Sequence, residues 1–295
     1  AEFLLSRPEK TQAAILNTIA DAYLVYNEMD GRHDNLRLLH GLMAPLHKRV
    51  EIAKIQDWLG KDPAEAICVI STQILEAGVD LRFQHLARAL PILPSAVQAA
   101  GRVNRHFEGT PGKPGTLSLF AFLRGGEKET RSSIYAQLLQ KITDDLLQPK
   151  EVWQESEMLQ LIKDYYQKMF AHNTYEATKQ AIQKAYEGNW PALADFEPFK
   201  NDYLRLPVFV PWRPEPHDEE YLPPKFTLLQ KRQGLYTPEE IYEKYADRRS
   251  LADFSPEKRI EFMVLFHHYV INVPFKLAMT LVGKDAYLHN RVPLL

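Results

Sequence analysis

The chain has 295 residues, 45% hydrophobic and 25% charged. At ~150 residues per domain this length suggests two domains or one large one, and the composition excludes a disordered or fibrous protein. Its 36 Lys+Arg and 38 Asp+Glu are spread evenly and leave a net charge of −2, so no bulk positive field draws nucleic acid and any such binding rests on local geometry. The single cysteine, Cys68, sits in Ile67-Cys68-Val69-Ile70, where it cannot form an internal disulfide and reads as a small core residue. A reducing, cytoplasmic setting is therefore expected. No apolar stretch approaches the ~20 residues of a membrane span, and residues 1–16 lack the pattern of a secretion signal.

In chain order, Ala13–Leu16 reads as a strand ending at Asn17-Thr18, and Ile19 to Met29 as a helix with Ile19, Tyr23 and Tyr26 at helical spacing. Leu36–His40 follows as a strand, Lys48–Leu59 as an amphipathic helix and Ala66–Ser71 as a strand. A loop, a helix from about Ser95 to Arg105 and a strand Thr116–Leu123 complete a strand–helix alternation. Such alternation implies an α/β fold, a parallel sheet covered by helices. From Arg124 onward the periodicity becomes helical: Ile134–Leu147, Met158–Phe170 and Tyr175–Tyr186. Residues 190–235 hold 8 of the 20 prolines and read as strand and loop, since proline does not sit in helix interiors. A helix at Pro256–Tyr269 precedes a mixed tail. The expected division is 1–124 as the sheet domain, 125–190 as a helical linker and 191–295 as a smaller mixed domain.

Two segments carry chemistry. Ser71-Thr72-Gln73-Ile74-Leu75-Glu76-Ala77-Gly78-Val79-Asp80 leaves the carboxyl end of a parallel strand, where open α/β sheets bind ligands. A hydroxyl, a glycine backbone and a carboxylate there suit phosphate and sugar. Gln98-Ala99-Ala100-Gly101-Arg102-Val103-Asn104-Arg105, read as helix, places Gln98, Arg102 and Arg105 on one face. Two guanidiniums beside an amide suit the charge that develops on a transferring phosphoryl group.

The two segments together resemble motifs V and VI of superfamily 2 helicases, found in the second of two RecA-like motor domains. With Asn17-Thr18 and Leu38-Leu39-His40, the spelling is similar to the CRISPR-associated helicase–nuclease family of type I systems. The resemblance covers residues 13–123, and a helical linker and an accessory domain follow the motor in that family. It implies an ATP-dependent helicase with these roles. Thr72, beside Ser71, contacts single-stranded DNA, with Asn17, Thr18 and His40 near its path. Gly78 and Asp80 couple DNA to the nucleotide, and Gln98, Arg102 and Arg105 face ATP bound with Mg across the cleft. It also implies as partners the first RecA-like domain, a nuclease domain with its own divalent metal, and a guide-RNA surveillance complex.

A complete motor needs G-x-x-x-x-G-K-[ST]. Gly60-Lys61-Asp62, Gly112-Lys113-Pro114 and Gly283-Lys284-Asp285 all lack it, so this chain alone is expected not to hydrolyse ATP. No metal site is expected: His33-Asp34 and His217-Asp218 lie in turn and loop, and His267-His268 diverge by roughly 100° on a helix. Asp218-Glu219-Glu220-Tyr221 reads as a solvated acidic loop. Trp58, Trp153, Trp190 and Trp212 read as core anchors, and Tyr165-Tyr166 as core. Two other readings stay open: another superfamily 2 DNA translocase, and a non-enzymatic binding module on a RecA-like scaffold.

Overall fold

Five short strands, β1 (Thr11–Ile15), β2 (Leu36–Leu39), β3 (Ile67–Ser71), β4 (His85–Ala89) and β5 (Thr116–Phe120), form one parallel sheet in the order β2-β3-β1-β4-β5. The computed structural model describes residues 1–60, 66–77, 79–103, 115–126, 128–172, 176–191, 204–287 and 292–295. All five residues of β3 and of β4 are buried, as befits strands covered on both faces. Side chains alternate across the sheet. Ala13, Ile15, Ile67 and Val69 point to one side, where α3 (Pro45–Gly60) and α5 (Leu93–Ala100) pack through Ile55 and Ala99. Ala14, Cys68, Ile70 and Ala87 point to the other, against α1 (Glu2–Leu5) and α2 (Ile19–Met29) through Leu4, Ala22 and Val25. Burial pushes the Cys68 thiol up to about 12, so it stays a neutral core group. The parallel sheet flanked by helices bears out the α/β expectation.

Three features depart from the sequence reading. The loop expected after residue 71 contains the one-turn helix α4 (Ile74–Ala77) and the interior strand β4. The helix expected to reach Arg105 ends at Ala100, because the Arg102 carbonyl turns back to accept from Phe83 N–H (3.1 Å) and Val103 bridges Phe83. Arg102 is thus in a turn rather than on a helical face with Gln98. Asn104 and Arg105 lie outside the described residues.

A small hairpin, β6 (Leu123–Arg124) with β7 (Lys128–Glu129), leads into α6 (Gln137–Leu147), α7 (Met158–His172) and α8 (Glu176–Tyr186). Ile142, Leu161 and Tyr165 close on Leu93 of α5, and Thr143 Oγ1 accepts from Leu93 N–H (3.0 Å) at a helix start that has no cap of its own. Tyr165 is core as expected, whereas Tyr166 and Trp190 are exposed.

In the C-terminal part, β8 (Arg205–Phe209) pairs antiparallel with β9 (Val270–Pro274). The proline-rich stretch also contains α9 (Pro224–Gln233), against expectation. Pro224 occupies the first helical position, where its missing N–H costs nothing, and Gly234 at φ 67° ends the helix in the left-handed conformation. After α10 (Pro238–Ala246) and α11 (Arg248–Ala252), α12 (Pro256–His267) supplies Phe262, Leu265 and Phe266 to an aromatic core with Phe209, Phe226 and Tyr269. After β9, α13 (Phe275–Val282) packs Ala278 against Val208 and Val273.

Leu46 of α3 belongs to this aromatic core. Around it the two regions share polar contacts. Lys54 Nζ is buried between Glu51 (3.0 Å) and Asp218 (2.8 Å), Tyr221 donates to Asp57 (3.0 Å), and His47 stacks on Trp212. Asp218 is therefore a buried ion-pair partner and not part of a solvated loop. Among the described residues no helix is long and apolar enough to cross a membrane.

Candidate functional site

From β1 the chain runs out to β2 and back to β3 on one side, then crosses past β1 to β4 and β5 on the other. The carboxyl ends of β3, β1 and β4 therefore frame the switch point where open sheets bind ligands. Asn17 and Thr18 follow β1, His40 follows β2, and Ser71 and Thr72 end β3, so all five residues expected near DNA occupy one edge of the sheet.

Their side chains are engaged to different degrees. Ser71 is wholly buried and its hydroxyl donates to the Leu39 carbonyl (2.8 Å), while Thr72 N–H donates to the same oxygen (3.3 Å). The Asn17 amide is buried, donating to Leu90 O (3.3 Å) and accepting from Arg88 Nη1 (2.7 Å). Its own carbonyl accepts from Gln73 Nε2 (2.9 Å). Thr18 caps α2 by accepting from Asp21 N–H (3.1 Å), and Arg124 donates to the same hydroxyl and to the buried Asp21 carboxylate. His40 accepts Leu42 N–H at Nδ1 (3.3 Å), which leaves Nε2 to carry the proton toward the Tyr23 hydroxyl (3.3 Å). Burial, helped by positive charge at His47 and Lys48, lowers the His40 pKa to about 4, so the ring is neutral at neutral pH. Tyr23 is 44% exposed and lays its ring beside His40. This edge thus presents a hydroxyl-bearing aromatic ring, Thr18 and Arg124, with buried amides and carbonyls holding it in shape.

On the second side, Gln98 is exposed on α5. Arg102 donates from Nε (3.1 Å) and Nη2 (2.8 Å) to the Glu76 carbonyl, and its Nη1 lies 3.8 Å from the Asp80 carboxylate. The segments 71–80 and 98–105 are thereby joined through Arg102. Gly78 lies outside the described residues, as does Arg105. Arg102 thus spends its forked donors on the Glu76 carbonyl, and Gln98, on the helix that ends before Arg102, shares no helical face with it. Among the described residues no group of three or more His, Cys, Asp or Glu is placed to hold a metal ion.

The sequence reading missed four residues of this edge: Arg88, Gln73, Tyr23 and Arg124. Arg88 had a visible signal, a single charge inside the apolar run Leu86-Ala87-Arg88-Ala89-Leu90. It is fully buried, ion-paired to Glu76 (2.6 Å), and donates to Asn17 and to the Tyr135 hydroxyl (3.1 Å). Burial raises the Glu76 pKa, and Arg88 offsets that rise in part.

Residues 8–108 match the family described as CRISPR-associated nuclease/helicase Cas3, C-terminal. Among solved structures, T. fusca Cas3 in its AMPPNP form is similar over 100% of this chain and 36% of its own, at 18% identity and a TM-score of 0.63. A structure described as a CRISPR-associated protein is similar over 99% of this chain and 35% of its own, at 14% identity and a TM-score of 0.58. One chain of a CRISPR RNA-guided surveillance complex, pre-nicking, is similar over 97% of this chain and 36% of its own, at 18% identity and a TM-score of 0.57. At these identities the likeness shows the fold, and this chain spans about a third of the length of each. No curated protein matches it.

Proposed function

We propose, from the premise that this chain carries a C-terminal segment of Cas3, that it is one half of an ATP-driven motor that moves single-stranded DNA in type I CRISPR interference. The other half is the first RecA-like domain of the same protein, which supplies the phosphate loop that this sequence lacks. A nuclease domain with its own divalent metal and a guide-RNA surveillance complex complete the partners, and degradation of invading DNA is the outcome. The division of labour follows 1–124 as the motor domain, 125–190 as the linker and 191–295 as the accessory domain.

ATP with Mg supplies a phosphoryl group whose departure changes the charge facing the cleft. Arg102 and Arg105 meet that charge, and Gln98 orients the phosphoryl oxygens. Gly78 and Asp80 serve the ribose and metal side. The observation that carries this reading is the bond from the Arg102 guanidinium to the Glu76 carbonyl, inside the segment that begins at the DNA-side residues Ser71 and Thr72. To reach a phosphate, Arg102 exchanges one acceptor for a more negative one, and that exchange moves α4. On the DNA edge, Thr18 and the exposed Tyr23 contact the strand, while Thr72 and His40, both buried, line its path from beneath the surface. Ser71 and Asn17, whose side chains are taken by Leu39, Leu90 and Arg88, act by holding the backbone at that edge.

The test is ATP hydrolysis with and without single-stranded DNA by the chain alone, by the chain mixed with the N-terminal half, and by the mixture carrying Arg102→Ala or Arg105→Ala. DNA-stimulated turnover is expected only in the wild-type mixture, with each arginine variant lowering kcat by roughly 10³-fold or more, the range of an arginine finger. Silence from a mixture whose halves fold and associate would favour a binding module.

A further inference from the structure

Arg88 is given no contact with nucleotide or DNA above, yet polar groups of Glu76, Asn17, Ala89 and Tyr135 converge on it. It is fully buried in β4, an interior strand between β1 and β5, and every arm of its guanidinium is used. Nε pairs with the Glu76 carboxylate at 2.6 Å. Nη1 donates to Asn17 Oδ1 (2.7 Å) and to the Ala89 carbonyl (2.8 Å), and Nη2 donates to the Tyr135 hydroxyl (3.1 Å). Glu76 is bound at both ends, its carboxylate by Arg88 and its carbonyl by Arg102. A planar fork can hold three elements at fixed angles in a way that a lysine point charge cannot. A buried ion pair is also a poor way to gain stability, because desolvating both charges cancels most of their attraction.

We infer that Arg88 is a positioning residue that couples the nucleotide side of this motor half to its DNA side, through Glu76 to Arg102 and through Asn17 to the loop after β1, with Tyr135 tying the helical linker to the same point. Displacing Arg102 pulls on the Glu76 carbonyl, Glu76 pulls on Arg88, and Arg88 shifts Asn17, whose carbonyl in turn holds Gln73. The inference rests on the proposed function for what binds at each end, and the geometry of the relay is independent of it.

The experiment is peptide-resolved hydrogen exchange on the whole chain, comparing wild type, Arg88→Lys and the double variant Arg88→Met/Glu76→Gln, which removes both charges together so that neither is left buried alone. Exchange is expected to rise about tenfold at residues 16–18, 73–77 and 101–103 together, with 67–70 unchanged, as for local release of a shared tether. Change confined to 87–90, or spread equally over the whole sheet, would overturn the relay and leave Arg88 a core residue. Arg88→Lys retains the charge and the fold and is expected to release the Asn17 and Tyr135 ends. A second arm adds oligo(dT). In wild type it should slow exchange at 16–18 and 72–73 and also at 101–103. Both variants should keep the first effect and lose the second, a readout that a merely structural role would not move, and retention of the second effect would also overturn the relay. If wild type does not bind oligo(dT), the DNA assignment falls while the first arm still decides the relay.

Discussion

The sheet region and the C-terminal region are built from different materials. The sheet packs small and branched aliphatics, Ala13, Ile15, Val69 and Ile70 among them, between layers of helix. The C-terminal core is aromatic, with Phe209 against Phe266 and Tyr269 and with Tyr245 stacked on Phe266 at 4.0 Å. Parallel strands covered on both faces need side chains that fit a narrow interlayer, whereas short helices on a two-stranded antiparallel sheet need large rings to bury enough surface. One helix serves both: α3 sends Ile55 into the aliphatic core and Leu46 into the aromatic one. Sharing a helix packs the C-terminal region directly against the sheet region.

Truncation of the aromatic core is the most severe test of that coupling. Phe266→Ala should cost about 3–5 kcal/mol, and urea unfolding followed by circular dichroism should shift as one transition. Two separated transitions would show that the regions fold independently. Next comes the seam itself. Lys54→Met leaves Glu51 and Asp218 buried without their cation and should cost about 3 kcal/mol, whereas Lys54→Met combined with Glu51→Gln and Asp218→Asn should recover most of it. Equal losses in the single and triple variants would mean that packing, not charge, joins the regions.

Acid probes the sheet edge. The folded state keeps His40 neutral down to about pH 4, while the unfolded chain takes up the proton near 6.5. Stability from this group is therefore complete above pH 6.5 and is lost as pH falls toward 4, by at most about 3 kcal/mol at 1.36 kcal/mol per unit. The wild-type unfolding midpoint should fall over that window more than that of His40→Gln. An identical decline in both would assign the acid sensitivity to His33, His47, His85 and His268, all of which burial also lowers. The smallest effect belongs to the surface of the C-terminal region. Arg232→Ala breaks an exposed pair with Glu261 and should change thermal stability by under about 1 kcal/mol.

Much of the sheet was legible because its signals are local. Ile19, Tyr23 and Tyr26 sit at helical spacing, and α2 runs from Ile19 to Met29 as that spacing predicts. The apolar runs at 13–16, 36–40 and 66–71 lie within a residue or two of β1, β2 and β3. Strand β4 escaped because His85 and Arg88 interrupt its apolar pattern, and only partners far along the chain make them tolerable: Ser118 for the histidine, Glu76, Asn17 and Tyr135 for the arginine. The same blindness turned Asp218 into a solvent residue and hid α9 behind its opening prolines.

The sequence by itself determined the α/β alternation, the two motif-bearing segments and the family they resemble, since periodicity and motif spelling depend on residues a few positions apart. Only the tertiary structure decided which charges go inside, where Arg102 rests, and that α3 joins two cores. A buried charge is stable only where a distant residue supplies its counter-charge, and that distance is closed by folding alone.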